Sequence, residues 1–438
     1  MSAWFDSLSL WLAAHPEWLG LAIFLLAFGE CLAIIGLLVP GTVLLFAVAA
    51  LAGSGALSLG HTLLLAWCGG VLGDLLSYAT GRYFHQDIRR LPGLRHHPQW
   101  LAGADLYFQR YGIASLLVGR FIGPLRPMLP MVAGMLDMPA PRFVLVSLLA
   151  SVGWALAYLL PGWATGAALR LPLPPGFWPQ AGIVAAAVAG ICVLSLQASL
   201  REMRHSSLLA AACAALLLAA LSLGYARLQA FDQGLLQLLQ QQRQPALDNV
   251  MLLLSQLGDG HSLLLVASAL LGILLLGRQW RAAVFAGLTL LGTALANALF
   301  KQLIARSRPD TLLEPLGSFS FPSGHSSASF ALFFVLAILA GREQPARMRM
   351  TWVVLACLPA LAIAVSRLYL GVHWPSDLIA GALLAACLCA ACLSLVQWHR
   401  PLPALSARLW WWLLPTSLLT PVLLAGWQWP AQLLAYLY

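Results

Sequence analysis

Apolar stretches long enough to cross a hydrocarbon core recur along almost the whole chain, broken by short loops where charge collects. A spanning helix needs roughly 20 mostly apolar residues. By that measure the first half offers segments near 18–38, 41–59, 61–80, 113–138, 143–168 and 178–198, with a basic loop from Arg82 to Arg110. The runs at 41–59 and 113–138 contain Gly and Pro, and the second also holds Arg120 and Arg126. Irregular backbone survives at membrane depth only where protein or a water-filled cavity surrounds it, so both are expected to be re-entrant and to face a cavity. The second half offers six spans, near 207–225, 261–277, 282–304, 326–340, 351–366 and 376–397, and one more near 408–427. Between the first two of these, residues 226–258 mix leucine with glutamine and charge, the pattern of one or two amphipathic interfacial helices.

The expected fold class is an all-α polytopic membrane protein. Residues 199–205 break two apolar runs with two arginines and a glutamate, and the domain boundary is expected there. This divides the chain into 1–200, a six-helix bundle at 201–400, and an additional transmembrane segment at 401–438. No sequence repeat relates the halves. Asp6, His15 and Glu17 precede the first apolar run and no basic n-region is present, so the N-terminus is expected to be retained and not cleaved as a signal peptide.

Composition agrees: 61% of the 438 residues are hydrophobic and 9% charged. The net charge of +9 comes from arginines scattered over short loops and not from one basic domain, which argues against a nucleic-acid partner. Arg201, Arg204, Arg278, Arg281, Arg342, Arg347, Arg349 and Arg400 fall in alternate loops, which the positive-inside rule makes cytoplasmic. The loops at 305–325 and 367–375 are then expected to face outward, into the periplasm or exterior of a bacterial inner membrane. The eight cysteines sit mostly inside apolar runs without supporting histidines, so small packing residues are expected, and neither a metal nor a cofactor.

The two outward loops hold nearly all the ionisable residues that topology leaves unexplained. The first contains Lys301 and Arg308 in KQLIARSRP, then Ser323, Gly324 and His325 in FPSGH; the second contains Arg367, His373 and Asp377 in SRLYLGVHWPSD. Lys301 is the only lysine in a chain that otherwise draws its positive charge from arginine. A lone lysine at a helix end often just snorkels, but here two histidines and two arginines accompany it. Pro322 and Pro375 both suit the opening of a helix, because proline lacks an amide that would have no partner there. Two helix N-termini with free amides would then aim at one anion. Gly324 admits a close backbone approach, Ser323 offers a hydroxyl, and Lys301, Arg308 and Arg367 neutralise phosphoryl charge. Asp377, four residues after His373, can hold one imidazole nitrogen protonated and leave the other free to attack phosphorus. His325 is the expected acid for the leaving group.

The order K-x6-R-P, P-S-G-H and S-R-x5-H-x3-D resembles the three-part signature of the type 2 phosphatidic acid phosphatase family, which includes vanadium haloperoxidases. The resemblance covers about 205–400. It implies a membrane phosphatase needing no metal, with Lys301, Arg308, Ser323, Gly324 and Arg367 binding phosphate, His325 as acid, His373 as nucleophile and Asp377 as its partner.

In the first half Glu30 and Asp74 are carboxylates within apolar segments, a costly placement that marks function or a structural ion-pair set. Arg120 and Arg126 are their expected counterions. GECLAIIGLLVPG, GDLLSYATGR and GRFIGPLRPMLPMVAG resemble the DedA family over about 10–170, with Thr42 after the first Pro-Gly where an acidic or polar residue is usual. That resemblance implies lipid translocation, including return of the undecaprenyl phosphate carrier, and proton-dependent transport, with Glu30, Asp74, Arg120 and Arg126 as transport candidates.

The joint reading is a phosphatase for a lipid phosphate or pyrophosphate, with undecaprenyl pyrophosphate in the lead, embedded among membrane lipids; a homo-oligomer is compatible with it. Alternatives are a phosphatidate, phosphatidylglycerophosphate or lysolipid phosphatase, a transporter with a vestigial phosphatase half, and a haloperoxidase, the last disfavoured by a site set among spanning helices.

Overall fold

The computed structural model describes residue 15 and residues 18–432, apart from 34, 39–40, 85–115, 118, 121–124, 171, 201–204, 242 and 311–316. Most of the basic loop after Arg82, and Arg201 with Arg204, lie outside the described residues. The described residues are helical with no strand, and eight helices are long and apolar enough to cross a membrane, or nine if a bent pair counts as one span. The protein is an all-α polytopic membrane protein.

Two compact units divide between Pro172 and Leu173. In the first, α1 (Leu19–Cys31), α2 (Ile35–Leu38) and α3 (Gly41–Leu51) are followed by α4 (Leu59–Phe84), α5 (Leu125–Met135) and α6 (Ala140–Arg170). The expected span at 18–38 is not continuous: α1 stops after 13 residues, where Leu32 turns extended with ψ 132. α3 runs into a widened turn at Ala52–Ala56, where Gly55 takes φ 118, and α1 and α3 are among the short apolar helices.

Glycine sets the helix packing in this unit. Without a hydrophobic driving force between helices in lipid, close backbone approach supplies the contact energy. A Cβ at Gly69 would strike Phe24 O, one at Gly81 would strike Met131 O, and one at Gly134 would strike Tyr78 O. α4 is thereby pressed against α1 and α5. Gly162 and Gly166 do the same for α6 against α3, meeting Phe46 O and Ala50 O. Tyr78, Met128, Leu129, Met131, Val132 and Phe143 fill the space between α4, α5 and α6.

The second unit comprises α7 (Phe177–Leu200), α8 (Ser206–Gly224), α9 (Gln229–Gln240), α10 (Pro245–Leu257), α11 (Gly260–Leu276), α12 (Trp280–Ile304), α13 (Gly324–Ala340), α14 (Ala346–Tyr369), α15 (Pro375–Val396) and α16 (Ala407–Gln432). α7 belongs here and not with the first 200 residues, where the sequence put it. Phe177 stacks on Phe231 at 6.5 Å and Gln180 Oε1 accepts from the Phe231 amide at 2.9 Å, so its first turn is tied to α9. The polar break at 199–205 is a loop inside the unit.

α13 and α15 form its centre. α13 packs on α14, α15 and α12, and α15 packs also on α8. Val266, Leu270, Phe285, Val335, Leu336, Leu393 and Leu413 make one core; Phe330, Ala360, Ala364, Leu368 and Leu378 make another. The stretch read as interfacial is a short turn at Tyr225–Leu228 followed by α9 and α10, and the appended α16 packs against α11 and α10.

Overpacking a tight crossing costs about 1–3 kcal/mol. Gly81→Val and Gly134→Val are therefore expected to lower the unfolding temperature of the detergent-solubilised protein. Gly182→Val, where a Cβ meets nothing within 4 Å, is expected to leave it unchanged.

Candidate active site

The first turns of α13 and α15 lock together. The Ser323 amide donates to Asp377 O at 3.0 Å. A Cβ at Gly381 would press on Ser323 O at 2.9 Å and on Ser326 Cβ at 3.0 Å, so glycine permits the crossing. Trp374 is the N-cap of α15 and Pro375 opens it, as the sequence predicts. Pro322 does not open α13. Ser323 takes the cap, with extended backbone and its Oγ accepting from the Ser326 amide at 3.4 Å, and the proline is displaced outside the helix. The Ser323 hydroxyl, expected on phosphate, is thus buried in the first turn of α13 and also accepts from the Ser326 hydroxyl.

Each remaining predicted residue is delivered by a recognisable element. Lys301 follows Thr289, Thr293 and Asn297 at four-residue spacing on one face of α12. Asn297 donates to Ser327 Oγ at 3.0 Å, which turns that face toward α13, and Lys301 Nζ donates to Phe319 O. Arg308 reaches across the loop, donating to Ser318 O and Val372 O, both at 2.7 Å, and its Nη1 lies 3.2 Å from His373 Nε2. Arg367 ends α14, buried, and donates to Ser255 Oγ at 2.6 Å. His325 opens α13, and Lys301, Arg308, Arg367 and His373 all act on it electrostatically. A Cβ at Gly324 would touch only Asn297 Oδ1, at 3.6 Å, so protein packing does not demand a glycine there.

The nucleophile candidate is oriented from both sides. His373 Nδ1 lies 3.4 Å from Asp377 Oδ2 and 3.3 Å from Ser320 Oγ, and Ser320 itself donates to Asp377. With the carboxylate on the Nδ1 side, that nitrogen carries the proton and the Nε2 lone pair faces the cations. Burial is the main force lowering the His373 pKa well below its ordinary value of 6.5, followed by Arg308, Arg367 and Lys301, so the imidazole is held neutral.

Four contributors were not read from the sequence: Arg306, Asp232, Ser320 and Ser376. Arg306 Nη1 donates to Asp377 Oδ1 at 2.8 Å and to Ser376 Oγ at 2.7 Å, while Nη2 donates to Asp232 Oδ2 at 2.6 Å. Asp232 also accepts from the Ser376 amide at 2.9 Å and hydroxyl at 2.7 Å. The guanidinium lies 4.8 Å from the Tyr225 ring centroid and 5.4 Å from that of Trp374. A cleft of about 420 Å³ opens beside it, lined by Tyr225, Gln229, Gln233, Ser307 and Trp374. One available signal was Asp232, a carboxylate on the apolar face of an amphipathic helix, where charge needs a partner.

In the first unit the four transport candidates form two buried pairs. Arg126 meets Glu30 at 2.5 Å, with its guanidinium 4.5 Å from the Trp154 ring centroid. Arg120 pairs with Asp74, and Ser147 Oγ donates to Asp74 at 2.6 Å. A Cβ at Gly41 would overlap the Glu30 carboxyl, so the absence of a side chain at Gly41 makes room for it. Asp74, Arg120, Arg126 and Ser147 border one cavity of about 10 Å³, about the size of a single water.

Family comparison supplies the identity of each half. Residues 39–164 match the VTT domain and residues 282–401 the PAP2 superfamily. The chain is a VTT (DedA) domain joined to a PAP2 domain. The VTT half is 40% identical to the inner membrane protein YabI of Escherichia coli K12 over 152 residues, which are 35% of this chain and 60% of YabI. It is 29% identical to the inner membrane protein YqjA of the same organism over 157 residues, 35% of this chain and 71% of YqjA. The chain thus spans less than two thirds of YabI's length. The PAP2 half is similar to a PAP2-type phosphatidylglycerolphosphate phosphatase of Bacillus subtilis, with 26% identity over 43% of this chain and 97% of that one, and a TM-score of 0.40.

The neutral state of His373 in the PAP2 domain is directly measurable. A pKa below 6.5 means that the acid side of the pH profile for kcat/KM falls at lower pH than an ordinary histidine would give. Arg308→Gln removes the largest charge opposing protonation, so it is expected to move that limb upward, alongside weaker substrate binding. A limb that stays put would contradict the electrostatic cause.

Proposed function

We propose that the PAP2 domain is a membrane lipid phosphatase acting on a polyprenyl pyrophosphate, with undecaprenyl pyrophosphate as the leading substrate, on the periplasmic face of the inner membrane. The VTT domain then moves the monophosphate product inward. The observation that carries the chemistry is His373 itself, with Nδ1 on Asp377 and Ser320 and Nε2 beside Arg308.

The reaction follows from that arrangement. Lys301, Arg308 and Arg367 bind the terminal phosphoryl group with the amides at the start of α13, and His373 Nε2 attacks phosphorus in line with the leaving oxygen. The P–O bond breaks as the P–N bond forms, and His325, held as the imidazolium once the bound phosphoryl charge offsets the neighbouring cations, gives the departing lipid phosphate its proton. Asp377 stabilises the cationic phosphoimidazole through Nδ1–H. Water, deprotonated by His325, then attacks phosphorus, the P–N bond breaks, and inorganic phosphate leaves with neutral His373 restored.

The outward site rests on the arginine distribution, and the choice of a pyrophosphate on the adjoining VTT domain, because that resemblance implies handling of the undecaprenyl phosphate that such hydrolysis makes. The cradle reads phosphate and not the tail, so phosphatidate, phosphatidylglycerophosphate and lysophosphatidate belong in the same substrate panel.

Purified protein is expected to release phosphate fastest from undecaprenyl pyrophosphate. His373→Ala should abolish both turnover and acid-labile labelling by radioactive substrate, whereas His325→Ala should retain labelling and slow release by about 100-fold or more. Equal inactivity of wild type and His373→Ala on that lipid would remove the substrate assignment. Glu30→Gln is expected to keep phosphatase turnover and lose lipid transport in proteoliposomes, and turnover lost along with it would argue against separable functions.

A further inference from the structure

Asp377 is held on two sides. Oδ2 faces His373, Ser320 and the Trp374 amide, and Oδ1 takes Arg306. Were Arg306 bound to Asp377 alone, the pair would be close to neutral and the carboxylate a weak counter-charge for a cationic imidazole. Asp232 changes that balance. It takes the second arm of the guanidinium at 2.6 Å, so two carboxylates share one cation and the trio keeps one net negative charge beside His373. Asp232 is 1% exposed and Asp377 fully buried, where charge is felt strongly. The Ser376 amide and hydroxyl fix Asp232, and Tyr225 and Trp374 flank the guanidinium.

We infer that Asp232 and Arg306 are positioning residues for the phosphatase, acting through Asp377 to hold His373 in its Nδ1–H tautomer and to balance the charge that develops on it. The inference rests on the phosphohistidine reading. It makes α9, an amphipathic helix distant from every motif in sequence, part of the nucleophile's support. Among the described residues, the charged and titratable groups facing this centre include Arg306 and Arg308 from the loop after α12, Lys301 from α12, His325 from α13, Arg367 from α14, Asp232 from α9 and Tyr225 from the turn before it. Arg306 bonds the carboxylate side of the imidazole, whereas Arg308 meets Nε2. Loss of Asp232 or Arg306 therefore acts on the chemical step and leaves phosphate binding in place. A planar fork spanning two carboxylates has no substitute in a single ammonium, so lysine does not replace Arg306.

The test measures kcat, KM and competitive inhibition by inorganic phosphate in Asp232→Asn, Asp232→Glu, Arg306→Lys and Ser376→Ala, with Gln237→Ala as a control on the same helix. Misplacing a catalytic group by about 1 Å can cost roughly 100-fold, so Asp232→Asn and Arg306→Lys should lower kcat by about 10- to 100-fold. KM and phosphate inhibition should change less than about threefold. Asp232→Glu should recover part of kcat, Ser376→Ala should lose a smaller part, and Gln237→Ala should match wild type. Unchanged kcat in folded Asp232→Asn would overturn the inference. So would a parallel loss of phosphate inhibition, which would assign Arg306 to the phosphate cradle. Should Asp232→Asn not fold, Ser376→Ala and Asp232→Glu decide by the same criteria. Nitrogen NMR of histidine-labelled protein supplies a readout independent of turnover: a single Nδ1–H tautomer at His373 in wild type should become mixed in Asp232→Asn. A wild type without turnover would thus remove the phosphatase reading while the tautomer still judges the positioning claim, and an unmixed tautomer in the variant would refute it.

Discussion

A charge buried among spanning helices must meet its counter-charge within the protein, because the surroundings supply neither water nor mobile ions. Both units are organised by that requirement. In the VTT unit it pins α1 to α5 through Glu30 and Arg126, and α4 to the segment bearing Arg120 through Asp74. In the PAP2 unit it joins α9, α15 and the loop after α12 through Asp232, Arg306 and Asp377.

The two sites differ in their balance. The VTT set has two arginines and two carboxylates, so it is neutral as a group. Around His373 the named cations are Lys301, Arg306, Arg308 and Arg367 against Asp232 and Asp377, an excess of two positive charges. That excess suits a phosphoryl dianion, and after burial Arg308, Arg367 and Lys301 disfavour protonation of His373. In the proposed reaction the same cations would bind the phosphoryl group and keep the imidazole unprotonated. Asp377 and Ser320 on the opposite edge keep the imidazole from turning.

Backbone geometry brings these charges together. The joined first turns of α13 and α15 depend on Gly381 at their crossing and on a hydrogen bond between Ser323 and Asp377. In the VTT unit, glycines on α4, α5 and α6 let helices approach until backbone meets backbone. Small residues place the elements, and the paired charges then determine which register is tolerable.

The sequence by itself determined the membrane setting, the spans from α8 onward and the short runs in which the candidate histidines, aspartate and cations lie. Those residues lie in short runs at helix ends, and a run such as FPSGH or HWPSD carries both the turn chemistry and the reactive group. Tertiary structure alone decided that α1 breaks after Cys31, that α7 joins the second unit, and that Pro322 stands outside a helix capped by Ser323. It also decided that Arg126 takes Glu30 while Arg120 takes Asp74, a choice that nothing in the spacing of four charges resolves. Asp232 and Arg306 show the reason. They are 74 residues apart and Asp232 lies 145 from Asp377, so only the packing of α9 against α15 could reveal that one guanidinium joins two carboxylates.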